Sequence, residues 1–279
     1  MRQPARAVPP AAAATYVFAV CRHVDEDVLS LLPGITSAPV RALPFERLHA
    51  VVQEVPAAEA DRRSWTERLS DPEELERCVR AHHQVVTAVA AHGPAAPMAL
   101  ATLYSSEERA RQALGADVAR FHTVLDRVAG RVEWGVKGYL PAASASAAAG
   151  PVRAAAPAHM PAGPRAPDAG RAYLERVRGT HRAREETRSA ALRAAEDTHS
   201  ALRSRAVAAR RLRIQDQQPG DRRGAQVLNG AYLVEEDRTE AFREVVDTLR
   251  RRTGALLIEL SGPWVPYSFA GEDRAHGDH

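Results

Sequence analysis

Thr15-Tyr16-Val17-Phe18-Ala19-Val20-Cys21 is an unbroken run of β-branched, aromatic and small apolar residues. So short an apolar run with this composition reads as a buried strand. Residues 25–32 then carry a helical pattern, stopped by Pro33-Gly34. Two more strands follow at 40–44 and 48–55, spaced as in a hairpin. The second alternates Leu48, Ala50, Val52 against His49, Val51, Gln53, which marks one apolar face.

Asp71-Pro72-Glu73-Glu74 has the chemistry of a helix start, with Asp as the cap and Pro at the first position. Leu75, Cys78, Val79, His82, Val86 and Val89 recur at helical spacing and predict its buried face. Gly93-Pro94 closes it, and 98–104 reads as a strand. Ser105-x-x-Glu108 caps a further helix with an apolar stripe of Ala110, Leu114, Val118, Phe121, Leu125 and Val128, stopped by Gly130. Residues 132–140 read as a closing strand. The order β-α-β-β-α-β-α-β predicts a ferredoxin-like split βαβ sheet with one added helix, an N-terminal α+β domain over 15–141.

Residues 142–167 hold five prolines among Ala, Gly and Ser and no acid, so they predict a disordered linker. Residues 1–14 and 272–279 read as disordered tails. A second α+β domain is expected over 168–271. It opens with long Arg-rich helices over 168–213, expected to break at Gly179-Thr180 into a pair. A polar loop follows at 215–224, then a βαβ unit with strands at 228–234 and 255–260. Asp237-x-x-Glu240 is its expected helix cap, and Phe242, Val245, Val246 and Leu249 its buried face.

The chain is 279 residues long with a net charge of +3, unevenly placed. Residues 142–213 contain 14 Arg against 6 acids, a local +8, and lysine occurs only at Lys137. A basic middle could steer toward an acidic partner or nucleic acid, and equally forms a solvated helical face. Cys21 and Cys78 lie far apart in core elements and predict reduced, buried thiols. No run of about twenty apolar residues occurs, so no bilayer span and no membrane role is read, and the expected location is cytoplasmic. His82 and His83 are adjacent on a helix and point about 100° apart, too divergent to chelate one ion. His276 and His279 lie in the tail. No Gly-x-Ser-x-Gly, P-loop or dinucleotide fingerprint is present, and the paired acids are accounted for by helix starts. No enzyme activity, metal or cofactor is implied.

The most specific stretch is Gly262-Pro263-Trp264-Val265-Pro266-Tyr267-Ser268-Phe269. Its prolines are expected to keep the backbone out of both a central strand and a helix. Three aromatics within six residues, in a chain only 5% aromatic, need a surface to bury them. Trp264, Tyr267 and Phe269 are expected to fold back on the core of the last domain and to anchor a partner, Trp and Tyr being favoured hot spots.

This run, with Asn229-Gly-Ala-Tyr-Leu-Val234 before it, resembles the C-terminus of the GvpF/GvpL gas vesicle protein family. Glu133-Trp-Gly-Val-Lys-Gly-Tyr139, His83-x-x-Val-Val and residues 97–104 resemble further family motifs. Val265 stands where the family usually shows a second Pro, and Ala99-Leu100-Ala101 where it has Arg-Phe-Gly. The resemblance covers residues 15–141 and 170–271 and adds Trp134 to the candidate partner-binding residues. It implies an accessory or minor structural protein of the gas vesicle that binds the small hydrophobic GvpA-like shell protein and other gas vesicle accessory proteins, and supports nucleation or assembly of the wall. The alternative reading is a nucleic-acid-binding protein acting through 168–213. That stretch lacks interleaved aromatics and any readout motif, which argues against nucleic acid.

Overall fold

The computed structural model describes residues 13–56, 59, 62–141, 168–215 and 223–271. The expected linker 142–167, the tail 272–279 and nearly all of the tail 1–14 lie outside the described residues. The fold is α+β and forms two compact units. One runs to Val132 and takes in the chain again from Trp264; the other is Glu133–Pro263. This division differs from the expected domains 15–141 and 168–271 at both crossings.

In the first unit, β1 (Ala14–Cys21), β2 (Arg41–Phe45), β3 (Leu48–Val55) and β4 (Ala95–Pro97) form a sheet in the order β2-β3-β1-β4. All pairings are antiparallel, and β5 (Leu103–Tyr104) shares the β4 side of β1. This is the split βαβ order. α1 (Glu26–Ser30) lies between β1 and β2, capped by Asp25 Oδ1, which accepts the Asp27 and Val28 N–H groups. α2 (Arg62–Ser70) and α3 (Pro72–Ala90) cover one face of the sheet. α4 (Glu107–Ala116) and α5 (Val118–Val128) cover the other.

Two covered faces explain why β1 is apolar throughout rather than alternating. Its register against β3 shifts between Val17 and Ala19. Tyr16, Phe18, Ala19 and Cys21 consequently share the α2/α3 core, whereas Val17 and Val20 enter the α4/α5 core. Cys21 and Cys78 are free thiols and both buried. Gln53, expected on a polar face, is fully buried. Its Oε1 accepts the Ile35 and Thr36 N–H groups at 2.7 and 3.1 Å, and its amide donates to the Thr36 and Ala38 carbonyls, holding the 34–38 loop.

Several elements depart from their expected form. α2 has only weak amphipathic patterning and was not expected; it buries Trp65 against Tyr16, with ring centroids 5.7 Å apart. The single helix expected after residue 105 is capped by Ser106, whose Oγ accepts the Arg109 N–H at 3.2 Å, and it divides into α4 and α5 at Asp117. The expected strand 98–104 is interrupted by a turn in which Ala101 takes φ 64°. β6 (Arg131–Tyr139) does not close the first sheet.

β6 belongs instead to the second unit, whose sheet runs β7 (Ala208–Arg211), β8 (Gln226–Glu235), β6, β9 (Leu257–Trp264). The Arg-rich segment is one helix, α6 (Asp168–Arg203), 36 residues long and therefore about 54 Å in length. A helix-interior glycine costs only about 1 kcal/mol, so Gly179 does not divide it. Thr180 Oγ bonds back to the Val177 carbonyl at 2.8 Å. Among the described residues of α6 the buried ones lie in its last part: Ala191, Ala195, Thr198, His199 and Leu202. α7 (Thr239–Arg252) follows a 3₁₀ turn at Glu236–Arg238. Its expected Asp237 cap does not form: Arg238 holds the cap position without a side-chain bond, because the 3₁₀ turn carries the chain into the helix.

β9 corrects the expectation that Pro263 would end the strand. It lies at the sheet edge, where a missing N–H breaks no ladder bond. Gly262, at φ 125°, lets the backbone approach β6: a Cβ there would sit 2.9 Å from the Glu133 carbonyl.

Candidate partner-binding surface

α3 organises the candidate surface in the first unit. Asp71 Oδ1 accepts the Glu73 and Glu74 N–H groups at 2.9 and 3.3 Å, and Pro72 occupies the first turn, so the start is fixed as expected. Its buried face consists of Cys78, Ala81, His82, Val85, Val86 and Val89. Leu75 and Val79, expected in that face, are 37% and 47% exposed. The expected stripe was drawn wider than the sheet can cover.

His82 sits deep in this face. Tyr16 Oη lies 2.8 Å from His82 Nδ1 and accepts the Ala101 N–H at 3.2 Å, so one hydroxyl ties the imidazole to the turn at 101. Burial holds the His82 pKa down near 4, despite an opposing contribution from the Met98 backbone. The same burial raises Tyr16 well above the usual tyrosine range.

The terminal aromatics pack here, not on the last domain's core as expected. After Pro266 the chain forms α8 (Tyr267–Ala270), a helix the flanking proline was expected to prevent; Pro266 stands just before the first turn, where no N–H bond is lost. α8 packs on α5 and β4, with Phe269 1% exposed and Ala270 within the α4/α5 core. Val265 and Tyr267 join the α2/α3 core from its margin. The Tyr267 ring lies 6.2 Å from His82 and 6.0 Å from His83, with Oη 3.5 Å from His83 Nδ1. Burial lifts the Tyr267 pKa above the ordinary range. Trp264 meets His83 edge-on at 5.6 Å and keeps 45% of its surface exposed.

Of the four expected anchors, Trp264 alone keeps a large exposed share. Tyr267 is half-buried and Phe269 is enclosed. Trp134 belongs to the other unit, where it is buried and stacks on Phe242 at 6.4 Å. Leu75, Val79 and His83 lie four residues apart along α3 and therefore on one side of it, and Trp264 rests on the last of them. Of this strip of Leu75, Val79, His83 and Trp264, the sequence marks Trp264 as an anchor, whereas Leu75 and Val79 read as core.

Among the described residues no group of three or more His, Cys, Asp or Glu could hold a metal ion, and no helix is long and apolar enough to cross a membrane. The α6 arginines are partly paired along the helix, Arg171 with Glu175 and Arg182 with Glu186.

The fold and surface define an α+β protein with a split βαβ sheet and an apolar strip, and with no metal cluster among the described residues. The family described as gas vesicle synthesis protein GvpL/GvpF matches residues 14–271, and the chain belongs to it. Gas vesicle protein L of Streptomyces sp. (strain CB03234) is 35% identical over 263 residues, covering 94% of this chain and 95% of that protein. Gas vesicle protein F of the same strain is 39% identical over 54 residues, 19% of this chain and 23% of that one. Crystal structures of GvpF from Anabaena sp. PCC7120 and from Microcystis aeruginosa share the fold. Their TM-scores are 0.62 and 0.61 at 16% identity, covering 96% and 93% of this chain and 100% and 99% of theirs.

Proposed function

We propose that this protein binds the small hydrophobic gas vesicle shell protein and supports nucleation or assembly of the vesicle wall, acting at the gas vesicle, with the first unit making most of the contact. The exposed strip of Leu75, Val79 and Trp264 carries the reading. A shell subunit exposes large apolar faces before assembly, and an apolar strip held on a rigid helix can sequester one. Membership of the gas vesicle family supports the partner class. No catalytic step is assigned to it.

Co-expression with a GvpA-like shell protein and affinity capture tests the proposal. Capture is expected to survive high salt, because apolar contact is not screened, and to be lost in a Leu75→Glu/Val79→Glu variant that folds normally. Equal capture by that variant places the contact elsewhere. Capture that disappears with salt while nucleic acid co-purifies supports the α6 arginines instead.

A further inference from the structure

The two sheets treat their edges differently. Of the outer strands, β2 carries Pro44, β4 carries Pro97 and β9 carries Pro263, while β5 has no proline but is only 2 residues long. Proline offers no N–H and blunts an edge against further pairing. β7, at the outer end of the second sheet, has none. Its register with β8 pairs Ala208 with Leu233 and Arg210 with Ala231, and the Leu212 N–H donates to the Asn229 carbonyl at 2.8 Å. Alternation then turns the backbone N–H and C=O groups of Ala209 and Arg211 away from β8, and no described strand pairs with that side.

The flanks of this edge are apolar. Val207 and Ile214 are each 48% exposed and Leu212 is 38% exposed. At the head of the strand lies a cleft of about 560 Å³ lined by Val207, Ala241 and Phe242 together with Arg205, Glu235 and Arg238. Glu235 is paired with Arg238, which leaves Arg205 as the cationic group there without an acid in the lining to match it. The surroundings are strongly basic: residues 203–213 include Arg203, Arg205, Arg210, Arg211 and Arg213 and no acid. Glu196 pairs with Arg211.

We propose that β7 is a receiving edge for an extended segment of an acidic partner polypeptide, which adds to the sheet as a further strand and seats one apolar side chain in the cleft beside Phe242. Outward-facing backbone groups supply the pairing, and the arginines supply selection by charge. A second copy of this chain is disfavoured, because two β7 edges side by side would bring the five arginines of 203–213 against the same five. Nucleic acid is disfavoured by the lack of any aromatic in 203–215 on which a base could stack. This inference is independent of the shell-binding reading, which rests on the other unit.

The test is fluorescence anisotropy of the full chain with a labelled alternating peptide, Glu-Val-Glu-Phe-Glu-Val-Glu. Three comparison probes complete the set: the same residues in block order, the alternating peptide N-methylated at every second amide, and a single-stranded DNA oligonucleotide. The alternating peptide is expected to bind, with affinity reduced about tenfold or more by N-methylation and by the Arg205→Glu/Arg213→Glu variant. Ala209→Pro, which removes one outward N–H while leaving the β8 ladder intact, is expected to lose a similar factor. If that variant does not fold, the N-methylated peptide tests the same hydrogen bonds. Equal binding of the block and alternating peptides, indifference to N-methylation, or tighter binding of DNA than of the acidic peptide overturns the proposal.

Discussion

The two units solve one packing problem with the same pair of residues and reach different outcomes. In each, a tyrosine from an inner strand meets a histidine from the long helix above it at 2.8 Å: Tyr16 with His82, and Tyr232 with His199. Both tyrosines are pushed above their ordinary range by burial, and both histidines are pushed down by it. In the first unit Tyr16 also accepts the Ala101 N–H, and helices cover both faces of the sheet, so neither partner meets water. His199 is 9% exposed against 4% for His82, and its pKa is lowered first by burial and then by the neighbouring Arg211, with Glu196 opposing. The same buried pair is enclosed by helices on both faces of the sheet in one unit and flanked by charged side chains in the other. Sealing, not the bond length, decides what the pair is worth.

The strongest way to break the comparison is to remove the ring at the centre of the α2/α3 core. Tyr16→Ala deletes a fully buried aromatic that stacks on Trp65 and packs on Phe18, and is expected to cost about 4 kcal/mol. Urea unfolding gives the loss. Hydrogen exchange should show it in β1, β3 and α3. Unchanged protection in those three elements would mean that Tyr16 is not the keystone its burial implies.

Acid is the next largest lever. His82 takes its proton near pH 4 in the folded chain and at about 6.5 when unfolded. A depressed folded pKa means the unfolded chain binds the proton first. The contribution is therefore complete above about pH 6.5 and is lost as the pH falls toward 4, for a total of about 3 kcal/mol. Urea midpoints between pH 7.5 and 4.5 should show this loss, and His82→Phe should flatten the slope even though it starts from lower stability. His199→Phe should flatten it much less. Equal flattening by both would remove the distinction between the two pairs.

A gentler probe leaves the rings in place. Tyr16→Phe strands the buried His82 Nδ1 and the part-buried Ala101 N–H, and should cost about 2 kcal/mol. Tyr232→Phe strands only His199 Nδ1 and should cost about 1 kcal/mol. Thermal unfolding of the two variants measures the difference, and equal costs would show that the extra Ala101 bond contributes nothing.

Much of the first unit was legible from sequence because its signals are local. The Asp71-Pro72 cap, the β2–β3 hairpin and the all-apolar β1 each declare themselves within a few residues. The chain crossings were not legible. β6 reads as a strand wherever it pairs, and nothing local says which sheet receives it. The terminal run announced its aromatics but not their destination, which depends on the margin of α3 presented by His82 and His83. For the same reason Leu75 and Val79 passed as core: periodicity shows which side of a helix is apolar, not where its neighbours stop covering it. The β7 edge was hidden by its arginines, which read as a continuation of the helical basic stretch.

The smallest expected effect concerns backbone conformation. Among the described residues only Glu46 and Ala101 adopt positive φ without being glycine, and both belong to the first unit; the second uses Gly224 and Gly262 at its positive-φ positions. Ala101 stands at φ 64°, held by the N–H it gives to Tyr16. An L-residue in the left-handed region costs about 1 kcal/mol, and glycine returns part of that gain through the greater freedom of its unfolded chain, about 0.5 kcal/mol. Ala101→Gly should therefore stabilise the first unit by about 0.5 kcal/mol, a shift in Tm of a degree or two on the order expected for a chain of this size. A destabilised variant would mean that the Ala101 methyl, packed against the α2/α3 core, contributes more than its strained backbone costs.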